Sequence, residues 1–111
     1  MVDRETESLV RSYYEAIDAG EYDALAELLA PSFEQVRPDR TLTGRATFVS
    51  FMRDDRPRTD TNHEIASVLV DGDRAAVRGR LVTDDGTELF AFADHVLVDD
   101  GRLRRLETYT R

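Results

Sequence analysis

Three Asp/Gly clusters punctuate the second half of the chain at even intervals, and they constrain the fold more than any other feature. Asp71-Gly72-Asp73, Asp84-Asp85-Gly86 and Asp99-Asp100-Gly101 each offer the residues that tight turns select, because they accept left-handed backbone at little cost. The segments 63–70, 74–83, 88–98 and 102–110 between and around them are rich in Val, Leu, Thr and Phe, as strands require. Four strands joined by three short turns predict an antiparallel meander. Such a sheet has a free face, and only the first half of the chain can cover it.

That first half reads as helical. Leu9, Val10, Tyr13, Ala16 and Ile17 recur at helical spacing within residues 3–19, and Gly20 follows as a C-cap. A short second helix is predicted over 22–29, carrying Ala24, Leu25, Leu28 and Leu29, with Pro31 just beyond its end. Residues 33–37 read as a short strand stopped by Pro38-Asp39. Thr43-Gly44 opens a third helix over 45–53 with Phe48, Val49, Phe51 and Met52 apolar, and 54–60 is a polar loop. Helices first and strands after predict one α+β domain over 1–111.

Charge narrows the partners. The chain carries a net −8, and all 15 of its basic residues are arginine. An acidic surface repels nucleic-acid phosphates and anionic membranes, so neither is expected as a partner. No apolar run reaches the roughly 18 residues of a membrane span, and the acidic start, Met1 to Glu7, has no apolar signal core. A cytoplasmic location is the expectation. Absence of cysteine removes disulfides, thiolate zinc sites and cysteine nucleophiles. His63 and His95 have no metal-ligand spacing with acidic residues, so no metal or other cofactor is expected. The acidic, lysine-free composition fits either a GC-rich genome or a high-salt cytoplasm, and the paired aspartates favour a halophilic source.

Period 2 along 88–98 puts Phe90, Phe92, Asp94, Val96 and Val98 on one face and Leu89, Ala91, Ala93, His95 and Leu97 on the other. Both faces are largely apolar. One is expected to meet the helices and the other a second subunit, making a homodimer through the outer sheet face. His95 falls on that outer face. Asp94 among phenylalanines is costly unless paired, hydrogen-bonded or protonated, which pushes its pKa upward; it is either a pocket group or a solvated residue at a strand irregularity. Tyr13 lies on the buried helical stripe, as a plain core residue or as a donor. Phe33, Phe48, Met52, Phe90, Phe92 and Tyr109 supply an apolar wall, in which core and pocket lining are contiguous.

Tyr13-Tyr14-Glu15-Ala16-Ile17-Asp18-Ala19-Gly20-Glu21-Tyr22-Asp23, Thr43-Gly44-Arg45, and Ala93-Asp94-His95-Val96 with Asp100-Gly101-Arg102-Leu103 together resemble the nuclear-transport-factor-2-like superfamily, in its SnoaL-like and ketosteroid-isomerase-like branch. The resemblance covers nearly the whole chain. It implies a cone in which three N-terminal helices pack on a strongly bent antiparallel sheet and enclose a pocket. In the ketosteroid isomerases a tyrosine of the first helix and a protonated aspartic acid of the sheet form the oxyanion hole; Tyr13 and Asp94 fall at those positions. The general base of those enzymes is an aspartate beside a proline at the end of the first strand. Arg37 precedes Pro38 here. A guanidinium cannot take a proton, so steroid isomerisation by that mechanism does not carry over. Arg37 instead clamps a carboxylate or enolate, or forms a structural ion pair with Asp94 or Glu34.

His63 is the remaining candidate base, since imidazole titrates near neutrality; otherwise it is a solvated strand-edge residue. Two functions follow. One is binding of a small, partly apolar carbonyl or enolate-type ligand with isomerase- or cyclase-like proton transfer by Tyr13, Asp94 and His63. The other is a non-catalytic ligand-binding or dimerising module.

Overall fold

A computed structural model describes residues 2–111. Helix α1 spans Val2–Ala19, α2 Tyr22–Leu28 and α3 Arg45–Ser50, and a π-helical turn over Phe51–Asp55 prolongs α3. The strands are β1 Leu29–Val36, β2 Thr41–Thr43, β3 Thr61–Asp71, β4 Arg74–Thr83, β5 Glu88–Asp99 and β6 Arg102–Thr110. They form an open six-stranded sheet in the order β2-β1-β6-β5-β4-β3.

The Asp/Gly clusters turn the chain as expected. Gly72, Gly86 and Gly101 all have positive φ, and Asp100 joins them at φ 51°. Helix α1 ends at Gly20, whose φ is 69°. The Gly20 N–H reaches the Ile17 carbonyl at 3.1 Å and the Glu21 N–H reaches Ala16 at 2.9 Å, the paired bonds of a Schellman stop. The other end of α1 docks on the first hairpin turn. Thr6 Oγ1 donates to the Gly72 carbonyl at 2.7 Å, and the Gly72 N–H donates to Asp3 at 2.9 Å.

The sheet departs from an antiparallel meander at one seam. β1 lies parallel to β6, with Gln35 opposite Leu106. β1 also begins earlier than expected: Leu29 belongs to the strand, not to α2, and Pro31 sits inside an irregularity between Leu29 and Glu34. Proline has no N–H to contribute, so a break in the ladder is where it fits. The short β2 pairs with β1 at the sheet edge.

Further register shifts fall between Ile65 and Ser67 of β3, between Leu81 and Val82 opposite β5, and between Leu97 and Val98 opposite β6. Extra residues in a ladder bend and twist it, which lets one sheet wrap the helices. Gly79 stands opposite the first of these shifts. A Cβ built there meets the Glu64 carbonyl oxygen at 2.3 Å and Phe92 at 3.1 Å, so only glycine allows the two backbones this approach.

The core lies between sheet and helices. Leu25, Leu29, Phe33, Phe48, Val96 and Leu103 are fully buried. Phe33 and Phe48 meet edge to face at 4.9 Å, and Tyr13 stacks on Phe48 at 6.1 Å. Among the described residues no helix is long and apolar enough to cross a membrane.

Candidate active site

A cavity of about 260 Å³ opens between α1, the end of β1, the segment after α3 and the inner face of the sheet. The period of β5 explains its floor. Phe92 and Asp94 point inward and are buried, while Ala93 and His95 point outward and are exposed. At the rim the irregularity in β5 brings both Leu89 and Phe90 to the opening. On α1, Tyr13, Tyr14 and Ile17 line the opposite wall.

Asp94 is the centre of a buried hydrogen-bond chain. Tyr14 OH donates to its Oδ2 at 2.5 Å, and Thr108 Oγ1 donates to Oδ1 at 2.7 Å. Gln35 Nε2 in turn donates to Thr108 at 3.1 Å. Both carboxyl oxygens therefore accept, and each donor comes from a different element. Burial pushes the Asp94 carboxyl above its ordinary range, against the pull of Tyr14, Thr108, His63 and Arg37. Burial, followed by the Asp94 charge, also raises both phenols well above the usual tyrosine value. Tyr13 and Tyr14 thus keep their protons through the neutral range.

The expectation named Tyr13 and Asp94 as two donors to one ligand oxygen; the hydroxyl bonded to Asp94 itself is that of the next residue, Tyr14. Among the described residues the Tyr13 hydroxyl has no protein hydrogen-bond partner, although it faces the cavity. Tyr14 is also part of the buried stripe, which is wider than the residues singled out above. The signal was available: Val10, Tyr14 and Asp18 follow one another at i, i+4 on one helix face.

His63 lines the same cavity and is gripped by Asp18. The His63 backbone N–H donates to Asp18 Oδ2 at 2.9 Å, and ring Nδ1 lies 2.6 Å from Oδ1. An acceptor carboxylate at Nδ1 places the imidazole proton there, so the neutral ring carries its lone pair on Nε2. The ring packs against Tyr14 at 5.1 Å and Phe92 at 5.6 Å. It is not a solvated edge residue. Asp18 carries no local signal of this role, because its partner lies 45 positions away.

Arg37 forms neither of the ion pairs considered for it. Glu34 pairs with Arg105 at 2.7 Å, and Asp94 is occupied as described. The Arg37 guanidinium sits over the Phe51 ring at 5.3 Å and reaches Gln35 Oε1 at 3.4 Å. Met52, Phe90 and Phe92 line the cavity with it. The remaining wall residues do not. Phe33 and Phe48 are fully buried behind Tyr13, where they support the wall and do not line it. Tyr109 is 58% exposed and borders a concavity on the other side of the sheet, because β6 turns it outward beside Ala93.

The SnoaL-like domain family matches residues 10–106. No curated protein matches the chain. Among solved structures, a Kribbella flavida protein provisionally named a ketosteroid isomerase is 24% identical, with a TM-score of 0.87 over 98% of this chain and 79% of that one. A Sinorhizobium meliloti protein provisionally named a polyketide cyclase is also 24% identical, with a TM-score of 0.80 over 92% and 94%. A Mesorhizobium loti NTF2-like protein of unknown function is 22% identical, with a TM-score of 0.84 over 100% and 94%. At these identities the likeness is one of fold.

Proposed function

The chain belongs to the SnoaL-like family, and on that basis we propose that its cavity binds a small, partly apolar carbonyl compound and moves a proton on it. The observation that carries this reading is the Asp18–His63 pair at the cavity wall. An imidazole anchored through Nδ1 presents Nε2 as a base of fixed direction. In the reaction, Nε2 takes a proton from the carbon next to the carbonyl. The C–H electron pair becomes the enolate π bond, and charge passes to the carbonyl oxygen. The Tyr13 hydroxyl, without a protein acceptor and held protonated by burial, donates to that oxygen. The imidazolium then returns the proton to the same or another carbon, which gives exchange or isomerisation with no co-reactant.

Asp94 serves this site indirectly. Its two oxygens accept from Tyr14 and Thr108, so it fixes the wall that positions Tyr13 and His63. Phe90, Phe92 and Met52 provide the apolar surface, and Arg37 provides a cationic end. Solvent deuterium entering the α-carbon of enolisable ketones and oxo acids tests the proposal. Binding with no exchange above background across such a panel supports a non-catalytic module instead.

The outer sheet face supports a further part of the reading, a homodimer in a salty cytoplasm. Leu69 and Tyr109 are exposed there at 68% and 58%, and Ala93 lies beside Tyr109, so a second subunit on this face would cover apolar surface. Sedimentation in dilute buffer and in molar KCl distinguishes a dimer from a monomer and shows whether salt strengthens the assembly.

A further inference from the structure

Charge around the cavity runs opposite to charge on the whole molecule. The chain is −8, yet the lining includes Arg37, Arg56 and Arg58 against one lining carboxylate, Asp94, with Asp18 behind His63. Arg58 is neutralised by Asp60 at 2.6 and 2.9 Å. Among the described residues Arg56 bonds uncharged acceptors, the Met52 carbonyl at 2.8 Å, the Tyr22 hydroxyl at 3.0 Å and the Ile17 carbonyl at 3.4 Å. These fix its position and leave its charge uncancelled.

Arg37 is less satisfied still. Its Nε is buried and has no hydrogen-bond partner among the described residues. Asp39 Oδ1 lies 3.6 Å from that same Nε, an ion-pair contact longer than a hydrogen bond, and Asp39 also serves Arg40 at 3.2 Å. Asp39 is more than half exposed, so water weakens its pull. Phe51 supports one face of the Arg37 guanidinium, which leaves the in-plane N–H fork for a planar acceptor. The Nε itself is shielded from the cavity, so a ligand acceptor meets the terminal N–H groups of the fork, of which one reaches Gln35 Oε1 at a loose 3.4 Å.

We infer that the ligand of this cavity is an anion, a small aromatic or partly apolar oxo acid, and that Arg37 receives its carboxylate. This rests on the proton-transfer reading and adds the substrate class to it. The carboxylate docks in the plane of the Arg37 fork, the apolar body lies against Phe90 and Phe92, and the carbonyl is left for Tyr13 and His63. An acidic surface does not prevent entry, because low-dielectric walls focus the local arginine field into the opening.

The test compares phenylpyruvate and benzoylacetate with their methyl esters, by calorimetric titration of the wild-type protein and of Arg37→Met. Methionine keeps an unbranched apolar chain over Phe51 and removes the fork. The wild type is expected to bind at least one acid about tenfold or more tightly than its ester, with KCl weakening the acid and not the ester. Arg37→Met is expected to erase that difference. Acids no tighter than esters, including no binding of either, overturn the inference, as does a preference that survives Arg37→Met. Should the variant fail to fold, the wild-type preference and its salt dependence decide. Deuterium exchange separates the two layers. Acid preference without exchange keeps the anion and removes the proton transfer, while His63-dependent exchange of the esters without acid preference does the reverse.

Discussion

Asp18 holds His63 at two points, the backbone N–H at 2.9 Å and ring Nδ1 at 2.6 Å. One carboxylate thereby fixes both the start of β3 and the direction of the imidazole. An asparagine side chain in its place would keep one acceptor oxygen and turn the other position into a donor facing a donor. Asp18→Asn is expected to lower proton-transfer rate by about 10- to 100-fold with little change in ligand affinity. Kinetics on the folded variant check this; an equal loss of affinity would mean that Asp18 only shapes the wall.

The Asp94 carboxyl makes stability depend on pH. Burial raises its native pKa. Between the unfolded value of about 3.9 and that raised native value, the native protein keeps a proton that the unfolded chain has lost. The native state binds more protons there, so stability falls as pH rises through the window. The contribution is complete below the unfolded pKa and gone above the native one. Denaturant titrations at several pH values are expected to show this downward slope in the wild type and a shallower one in Asp94→Asn.

Tyr14→Phe removes one of the two hydroxyls that Asp94 accepts. The loss of a bond to a buried acidic group is expected to cost about 1–3 kcal/mol. It also removes a group that lowers the Asp94 pKa, so the carboxyl should titrate higher still. Carbon-detected NMR of the Asp94 carboxyl reads the shift, and an unmoved titration would place the Tyr14 hydroxyl elsewhere.

Gly79→Ala would set a methyl group against the Glu64 carbonyl oxygen, where a Cβ stands at 2.3 Å. The neighbour is backbone and cannot swing aside. A loss of about 1–3 kcal/mol is expected from this overpacking, measured by denaturant unfolding. An unchanged midpoint would show that β3 and β4 can separate there.

The meander was legible because its signals are local: Asp/Gly turns, and a two-residue period along β5 that sorted Phe92 and Asp94 from Ala93 and His95. Gly20 marked the end of α1 for the same reason. What stayed hidden depends on distant partners. Thr41-Leu42-Thr43 is a strand only because β1 lies beside it. Leu29 continues an apolar helical pattern yet pairs with Leu103 of β6. The π-helical turn closes through the Arg56 N–H to the Phe51 carbonyl, which no periodicity announces. At the site, the resemblance picked out Tyr13, whereas a helical face wider than one file of residues buries both tyrosines and gives the hydrogen bond with Asp94 to Tyr14. Tyr109 shares the outward register of Ala93, so its aromatic character alone misplaced it in the pocket.

The proposed chemistry stands on His63 as a base aimed into the cavity. Deuterium incorporation from solvent into phenylpyruvate and related enolisable ketones, followed with wild-type protein and with His63→Ala, puts that role to the test. Exchange above the uncatalysed background is expected in the wild type, with a loss of about 10²-fold or more in the variant, while the variant still binds ligand. Exchange that is unchanged in folded His63→Ala, or absent from the wild type with ligand bound, would contradict it.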